Sequence, residues 1–159
     1  MAPPVFTLGY QQRSLEEYVE ALTAERVQVL VDVRETAWSR KPGFSKSALQ
    51  QRLQQARIEY VHAGFVGNPK AIRTQATTHE DCLAGYQRHL TANEELLIEF
   101  EALMLAWLGA GLRVCLLCYE RHPADCHRSI LLDLWADRHG RPIAIKHLGP
   151  GGAPRLIGC

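Results

Sequence analysis

The sequence predicts a protein of the α/β class, a single three-layer α/β/α domain with about five mostly parallel strands. Short apolar runs alternate with amphipathic segments long enough to be crossover helices, and two of the runs, 28–33 and 114–118, are almost continuously aliphatic. Such runs are typical of strands that are buried on both faces of a parallel sheet. A chain of 159 residues also suits one domain with one core.

The domain is predicted to cover residues 1–148, and its first half alternates strands with helices. Strands are predicted at 5–9, 28–33 and 58–61. Ser14 and Glu17 have the spacing of a capping box, which predicts a helix over 14–24. A second helix, beginning after Ser45 or Ser47, is predicted from the helical spacing of the apolar residues that follow.

The second half begins with a long segment, 64–78, for which no regular structure is predicted. A helical pattern follows over 79–108, with a break near 91–93, where Thr91 and Glu94 again have capping-box spacing. A strand at 114–118, a helix that begins at or just after Asp125, and a last strand at 143–147 complete the pattern. The end of the chain, 149–159, is predicted to be a flexible tail.

The composition excludes several classes of protein. A net charge of +1 gives no electrostatic reason to expect nucleic acid as a bulk partner. No apolar run reaches the roughly eighteen residues of a membrane-spanning helix, so no membrane partner is predicted. Five cysteines without a regular framework indicate reduced thiols and hence a cytoplasmic protein. No glycine-rich dinucleotide fingerprint follows any predicted strand, and no cofactor is predicted.

Reactive side chains follow several predicted strands. Parallel α/β sheets bind ligands beyond the carboxyl ends of their strands, so these side chains should line one rim. The segment 118–128 is especially rich in cysteine, histidine, acidic and basic residues. One pocket is therefore predicted, lined by Arg13, Asp32, Arg34, His62, Cys118, Glu120, Cys126, His127 and Arg128.

Asp32 and Arg34 alternate with Val33 at the end of a buried strand, so both should point the same way. An acid in this position is often a general base or accepts a ribose hydroxyl. The sequence equally allows a buried ion pair that fixes the following loop. Arg13 also has two interpretations, because it either clamps an anion or faces water at the start of a helix.

Cys126, His127 and Arg128 are expected in the first turn of a helix whose N-cap is Asp125. The unpaired N–H groups and the dipole of that turn stabilise negative charge. In one interpretation Cys126 is a thiolate nucleophile with a lowered pKa. In a second, the turn and Arg128 bind a phosphate or carboxylate while Cys126 lines the wall. In a third, both residues are structural.

No metal site is predicted. Cys115 and Cys118 have CxxC spacing, but residues three apart in a strand point to opposite faces and cannot bind one ion. Cys118, Cys126, His127 and His62 could converge, although their spacing matches no recognised zinc motif. A phosphatase-type loop is excluded, because no arginine follows either cysteine at the required distance.

Basic and aromatic residues are interleaved in the two long loops. Such a mixture can hold a nucleotide or a single-stranded nucleic-acid end by stacking and phosphate contacts, although most such loops are solvated. The basic residues are Arg34, Arg40, Lys41, Lys70 and Arg73, and the aromatic residues are Trp38, Phe44 and Phe65.

Four collinear blocks carry a family resemblance. They are TLGYQQRSLEEY (7–18), DVRETAWSRKPGFS (32–45), YVHAGFVGN (60–68) and LLCYERHPADCHRSIL (116–131). The last contains CxExxPxxCHR, the most specific of the motifs, and the chain resembles the domain of unknown function 488 family over most of its length. The resemblance implies a compact α/β domain and no established activity. Gln11, Ala37 and the segment 66–68 depart from the usual family pattern.

The leading functional hypothesis is a hydrolase or transferase that acts on a phosphorylated or nucleotide-like substrate. The alternative is a non-catalytic module that binds a nucleotide or nucleic acid at the same rim. The expected roles are an anion clamp of Arg13, Arg34 and Arg128, ligand contacts from His62, Cys118 and His127, an acid or base in Asp32 or Glu120, and a nucleophile in Cys126.

Overall fold

A six-stranded sheet runs through the middle of the computed structural model, which describes residues 3–149 and the backbone of 155–157. Its strands are β1 (Val5–Gly9), β2 (Val29–Asp32), β3 (Glu59–His62), β4 (Val114–Cys118), β5 (Ile143–His147) and β6 (Arg155–Ile157). Their order in the sheet is β3-β2-β4-β1-β5-β6. The first five strands are parallel, and the short last strand pairs antiparallel with β5. The predicted α/β class with mostly parallel strands is therefore confirmed.

Helices cover both faces of the sheet and give the predicted three layers. The helices are α1 (Leu15–Ala24), α2 (Lys46–Gln55), α3 (Lys70–Gln75), α4 (His79–Ala92), α5 (Glu94–Gly109) and α6 (His127–His139). One buried cluster joins the sheet to α1 and α2 through residues such as Tyr18 and Leu49. A second cluster joins the opposite face to α4, α5 and α6 through residues such as Phe100 and Trp135.

Strand β4 shows how the aliphatic runs form this core. Every residue of the strand is buried, and successive side chains enter different clusters. Leu116 and Cys118 pack toward α4–α6, whereas Cys115 and Leu117 pack toward α1 and α2. The prediction that Cys115 and Cys118 point to opposite faces is confirmed.

The first predicted capping box is confirmed and the second is wrong. The Ser14 hydroxyl accepts from the Glu17 N–H at 3.1 Å, and the Glu17 carboxylate accepts from the Ser14 N–H at 2.9 Å. The Thr91 hydroxyl instead donates to the carbonyl of Gln87 inside α4, at 2.8 Å. Asn93 is the N-cap of α5. Because the Thr91 hydroxyl is already bonded one turn back in its own helix, it does not cap the start of α5.

Two helices end in left-handed residues that are not glycine. Arg26 follows α1 with φ 55°, and Arg57 follows α2 with φ 58°. In each case the next residue closes the helix, because Val27 N–H donates to the Leu22 carbonyl and Ile58 N–H to the Leu53 carbonyl. These are Schellman bonds, and the left-handed position they require usually carries glycine.

The segment predicted to be irregular contains regular structure. A 3-10 turn spans Gly64–Val66, and the six residues of α3 follow Pro69. The Glu35 carboxylate accepts from the Lys70 N–H at 3.0 Å and so satisfies a first-turn donor. Helices this short leave too little periodicity to be recognised in a sequence.

Two further predictions concern the C-terminal third. Helix α6 begins one residue later than expected, because residues 123–125 form a 3-10 turn and Cys126 becomes the N-cap. The flexible tail predicted for 149–159 lies mostly outside the described residues, although the backbone of 155–157 forms β6. Among the described residues, no helix is both long and apolar enough to cross a membrane.

Candidate functional site

A cleft of about 670 Å³ lies beyond the ends of β1, β2 and β4. Residues that end or follow these strands form its inner side, among them Tyr10, Arg34 and Cys118. Helices α3 and α4 supply the outer side. The cleft therefore occupies the rim at which doubly wound sheets bind their ligands. Its other lining residues are Glu35, Thr36, Trp38, Asn68, Lys70, Arg73, Thr74, His79, Cys82, Leu83, Tyr119, Glu120 and His127.

Asp32 and Arg34 form a buried ion pair just behind the cleft. Asp32 is fully buried and accepts three hydrogen bonds from Arg34: from Nη2 at 2.6 Å, from Nε at 2.8 Å and from the backbone N–H at 3.1 Å. The Tyr60 hydroxyl donates a fourth at 2.5 Å. Burial raises the pKa of Tyr60, which keeps this phenol protonated and able to donate. Each oxygen of the carboxylate thus already accepts two hydrogen bonds from the protein.

Arg34 is anchored on its other side as well. Its Nη1 donates to the Phe44 carbonyl at 2.8 Å and lies 3.3 Å from the Tyr10 hydroxyl. Burial alone would lower the pKa of Arg34, but the hydrogen bonds to Asp32 raise it overall. Arg34 is therefore a fixed positive charge, 8% exposed, at the inner wall of the cleft.

Four potential donor side chains of the 118–128 segment converge at the inner end of the cleft. The Cys118 sulfur lies 3.2 Å from Nδ1 of His127 and 3.4 Å from Oε2 of Glu120. The Cys126 sulfur lies 3.7 Å from the same Nδ1. One ligand atom of each of the four residues lies within 4.8 Å of the others. The end of β4 and the start of α6 supply this cluster, which the sequence predicts only in part.

The protonation of His127 follows from its surroundings. Its Nε2 lies 3.0 Å from the backbone carbonyl of Val33, which can only accept a hydrogen bond. Nε2 must therefore carry the proton, and in the neutral ring Nδ1 presents its lone pair to Cys118 and Cys126.

Cys126 differs from its predicted environment. Its sulfur caps α6 by accepting from the Arg128 N–H at 3.5 Å, but the side chain is 1% exposed and does not line the cleft. Burial raises the pKa of Cys126 well above that of an ordinary thiol, with Cys118 adding to the effect and His127 opposing it. Burial therefore opposes the interpretation in which Cys126 is a thiolate with a lowered pKa, because loss of solvent outweighs the helix field.

Arg128 is fully buried and holds the loop that follows β4. Its Nη1 donates to the Glu120 carbonyl at 2.7 Å, and its Nε donates to the Thr7 hydroxyl at 3.1 Å. Gly9 makes this contact possible, because a Cβ at that position would lie 1.8 Å from the Glu120 carbonyl oxygen. Arg128 is not one of the described residues that line the cleft.

Arg13 and His62 also lie apart from the donor cluster. Arg13 packs against Gly149, where an added Cβ would come within 2.1 Å of Nη2 of Arg13. Nε2 of His62 contacts the Arg34 carbonyl at 2.8 Å. Neither residue lines the cleft formed by the described residues, so the three predicted clamp arginines do not meet at one point.

Sequence reasoning assigns no role to some residues that line the cleft. His79 lies in its wall and makes a contact of 2.7 Å with the Asp125 carbonyl. Tyr119 also lines the cleft and is 47% exposed, whereas Phe44, predicted with the aromatic group, is buried. No local pattern signals His79 or Tyr119, because only the docking of α4 and the β4 loop brings them to the cleft.

Comparison with known proteins gives one result. No curated protein and no solved structure matches the chain. The family model described as "Domain of unknown function DUF488" matches residues 14–135, which include β2 to β4, the donor cluster and most of α6. The match covers well over half of the sequence and includes the CxExxPxxCHR motif, so this chain belongs to the DUF488 family.

Proposed function

We propose that the protein binds a small anionic, nucleotide-like ligand in the cleft and acts on it as a hydrolase or transferase. One observation carries the proposal: exposed aromatic rings and the Lys70 ammonium, which has no partner among the described residues, surround a cleft whose inner end holds Cys118, Glu120 and His127.

The size and the aromatic side chains of the cleft favour a nucleotide-like ligand. Its volume of about 670 Å³ falls within the range of typical small-molecule sites. Trp38 is 62% exposed, and Tyr119 lies in the same lining. Exposed rings of this size offer a stacking surface to a base.

The charges of the cleft favour an anion. Arg73 is engaged, because its guanidinium contacts the Glu35 carboxylate at 3.1 Å and the Asn68 carbonyl at 3.0 Å. Among the described residues, the Lys70 ammonium makes no hydrogen bond or ion pair. Lys70 is therefore the cation that can bind a phosphate without first breaking another contact.

The acid or base is better assigned to Glu120 than to Asp32. Glu120 lines the cleft and is half-buried, whereas every direction of the Asp32 carboxylate is used by Arg34 and Tyr60. Cys118 also lines the cleft and Cys126 does not, so a substrate would meet Cys118 first. The proposal includes a cytoplasmic location, supported by the free thiols of all four described cysteines.

Calorimetric titration with inorganic phosphate and with nucleoside mono- and triphosphates tests ligand binding. Lys70→Ala should weaken binding of the best ligand about tenfold, the effect of losing one charge-assisted contact. Lys46→Ala is the matched control, because it removes the same charge from the start of α2, outside the cleft. Equal effects of the two substitutions, or no binding by any of these compounds, would contradict the proposal.

A second measurement separates an enzyme from a binding module. Glu120→Gln should keep ligand affinity within about threefold but reduce turnover of the bound ligand at least about a hundredfold, as expected for a general acid or base. A binding module would show no turnover in the wild type. It would bind a single-stranded oligonucleotide with strong salt dependence if its ligand were nucleic acid.

A further inference from the structure

The four-residue cluster of Cys118, Glu120, Cys126 and His127 has the composition of a metal site. Two sulfurs, one imidazole nitrogen and one carboxylate oxygen are donors that zinc accepts in proteins. All four come from one strand end, one loop and one helix start. Their ligand atoms lie within 4.8 Å of one another without any rearrangement.

The observed separations are close to those of a tetrahedral shell. With zinc–sulfur bonds of about 2.3 Å and zinc–nitrogen or zinc–oxygen bonds of about 2.1 Å, neighbouring donors lie about 3.6 Å apart. The sulfur of Cys118 lies 3.2 Å from His127 Nδ1 and 3.4 Å from Glu120 Oε2. The sulfur of Cys126 lies 3.7 Å from the same Nδ1. These three contacts need shifts of only a few tenths of an ångström. The other donor pairs lie within 4.8 Å, so they need to close by at most about 1.2 Å to surround one ion.

The surroundings of the cluster also prepare it for a cation. Metal-binding histidines usually donate their second ring N–H to a carbonyl or carboxylate, and His127 Nε2 meets the Val33 carbonyl at 3.0 Å. The Arg128 N–H points at the Cys126 sulfur, which suits a thiolate. The buried Arg128 guanidinium holds the Glu120 carbonyl and so fixes the loop that carries this donor.

We infer that Cys118, Cys126, His127 and Glu120 bind one zinc-like divalent ion. His62, which the sequence places among the possible ligands, is not part of the site, because its ring contacts the Arg34 carbonyl and Glu120 takes the fourth position. Cys118, Glu120 and His127 also line the cleft, so the ion lies at its inner end. Glu120 is the one oxygen donor beside three softer ligands, and it is the ligand that can yield to water or to a ligand from the cleft. Once displaced from the ion, its carboxylate is free for the acid or base role proposed above.

Cobalt provides a direct test on the full chain, since Co²⁺ takes zinc's tetrahedral sites and reports its ligands by absorption. The chain is treated with a chelator, kept reduced with a phosphine, and titrated with Co²⁺ and then Zn²⁺, without phosphate or nucleotide. The expected result is one ion per chain, intense tetrahedral bands with thiolate charge transfer, displacement by Zn²⁺ and a higher melting temperature.

Variants identify the ligands. Cys126→Ser and His127→Gln should weaken Zn²⁺ binding more than about a hundredfold, and Glu120→Gln about tenfold while keeping the thiolate bands. Cys82→Ser is the matched control: it lines the same cleft outside the cluster and should bind as the wild type. If the cysteine or histidine variants fail to fold, the wild-type spectrum and Glu120→Gln decide.

Two results would overturn the inference. One is wild-type protein that takes up no Co²⁺ or shows no thiolate bands. The other is loss of binding in Cys82→Ser but not in Cys126→Ser. Because no anionic ligand is present, a negative result leaves the proposed ligand binding intact. Failure of the phosphate and nucleotide titrations would likewise leave metal binding intact.

Discussion

Replacement of Asp32 by asparagine should destabilise the protein strongly. The carboxylate accepts four hydrogen bonds, two at each oxygen: the Arg34 backbone N–H and Nε at Oδ1, and Arg34 Nη2 and the Tyr60 hydroxyl at Oδ2. An asparagine places an NH₂ group on one side, so either orientation loses two of the four bonds. It also leaves the Arg34 guanidinium buried without its counter-charge. Breaking such a pair costs about 3–5 kcal/mol.

Urea unfolding followed by circular dichroism measures this cost. Glu16→Gln is the matched control, because it makes the same chemical change in an exposed ion pair, with Arg52 at 2.8 Å, and should change the free energy of unfolding far less than Asp32→Asn does. Arg34→Met and the double variant complete a cycle. The sum of the two single losses in unfolding free energy should exceed the loss in the double variant. The difference, which is the coupling energy of the pair, should be about 2–3 kcal/mol.

One outcome would refute this reasoning. If Asp32→Asn unfolded within about 1 kcal/mol of the wild type but lost ligand turnover, the carboxylate would be acting in chemistry. The hydrogen bonds from Arg34 and Tyr60 would then be dispensable for stability. Asp32 would regain the role of general base that its position at a strand end equally suggests.

Three further predictions concern the backbone, and urea unfolding measures each. Arg26→Gly and Arg57→Gly should each raise the free energy of unfolding by about 0.5–1 kcal/mol, because glycine adopts the left-handed conformation without steric cost. A decrease in that free energy at either position would contradict this prediction. Ser14→Ala should cost about 1 kcal/mol through loss of the helix cap, and a neutral result would show that water replaces the hydroxyl. Gly9→Ala should cost about 3 kcal/mol or more, because its Cβ would lie 1.8 Å from the Glu120 carbonyl oxygen; full stability would mean that the loop moves freely.

Hydrophobic period and helix caps were enough to predict the layers, the five parallel strands and the first capping box. These patterns are local, because the residues that form each one lie within the sequence of a single helix or strand. The αL ends at Arg26 and Arg57 do not follow from the same signals, because Schellman ends usually show themselves by glycine. Helix α3 is missed since six residues barely exceed one and a half turns.

The candidate site is predicted less completely, because its alternatives differ in burial rather than in spacing. The alternation of Asp32 and Arg34 is compatible with a reactive acid and with a buried pair. The burial of Asp32 and the hydrogen bonds from Arg34 and Tyr60, which favour the pair, appear only in the folded chain. The His62 ring contacts the Arg34 carbonyl, and Glu120 lies beside the cysteines instead. Such choices depend on contacts between distant segments, which a single sequence does not record.

Strand β6 has a consequence for how the chain behaves when it is cut. Its backbone pairs with β5 and covers that edge of the sheet. A chain truncated after residue 149 would expose the backbone of residues 143–145 as an open edge, and two of these residues are buried isoleucines. Open edges of this kind recruit strands from other molecules. Truncated protein should therefore self-associate, and clones that omit the last ten residues should precipitate more readily than the whole chain.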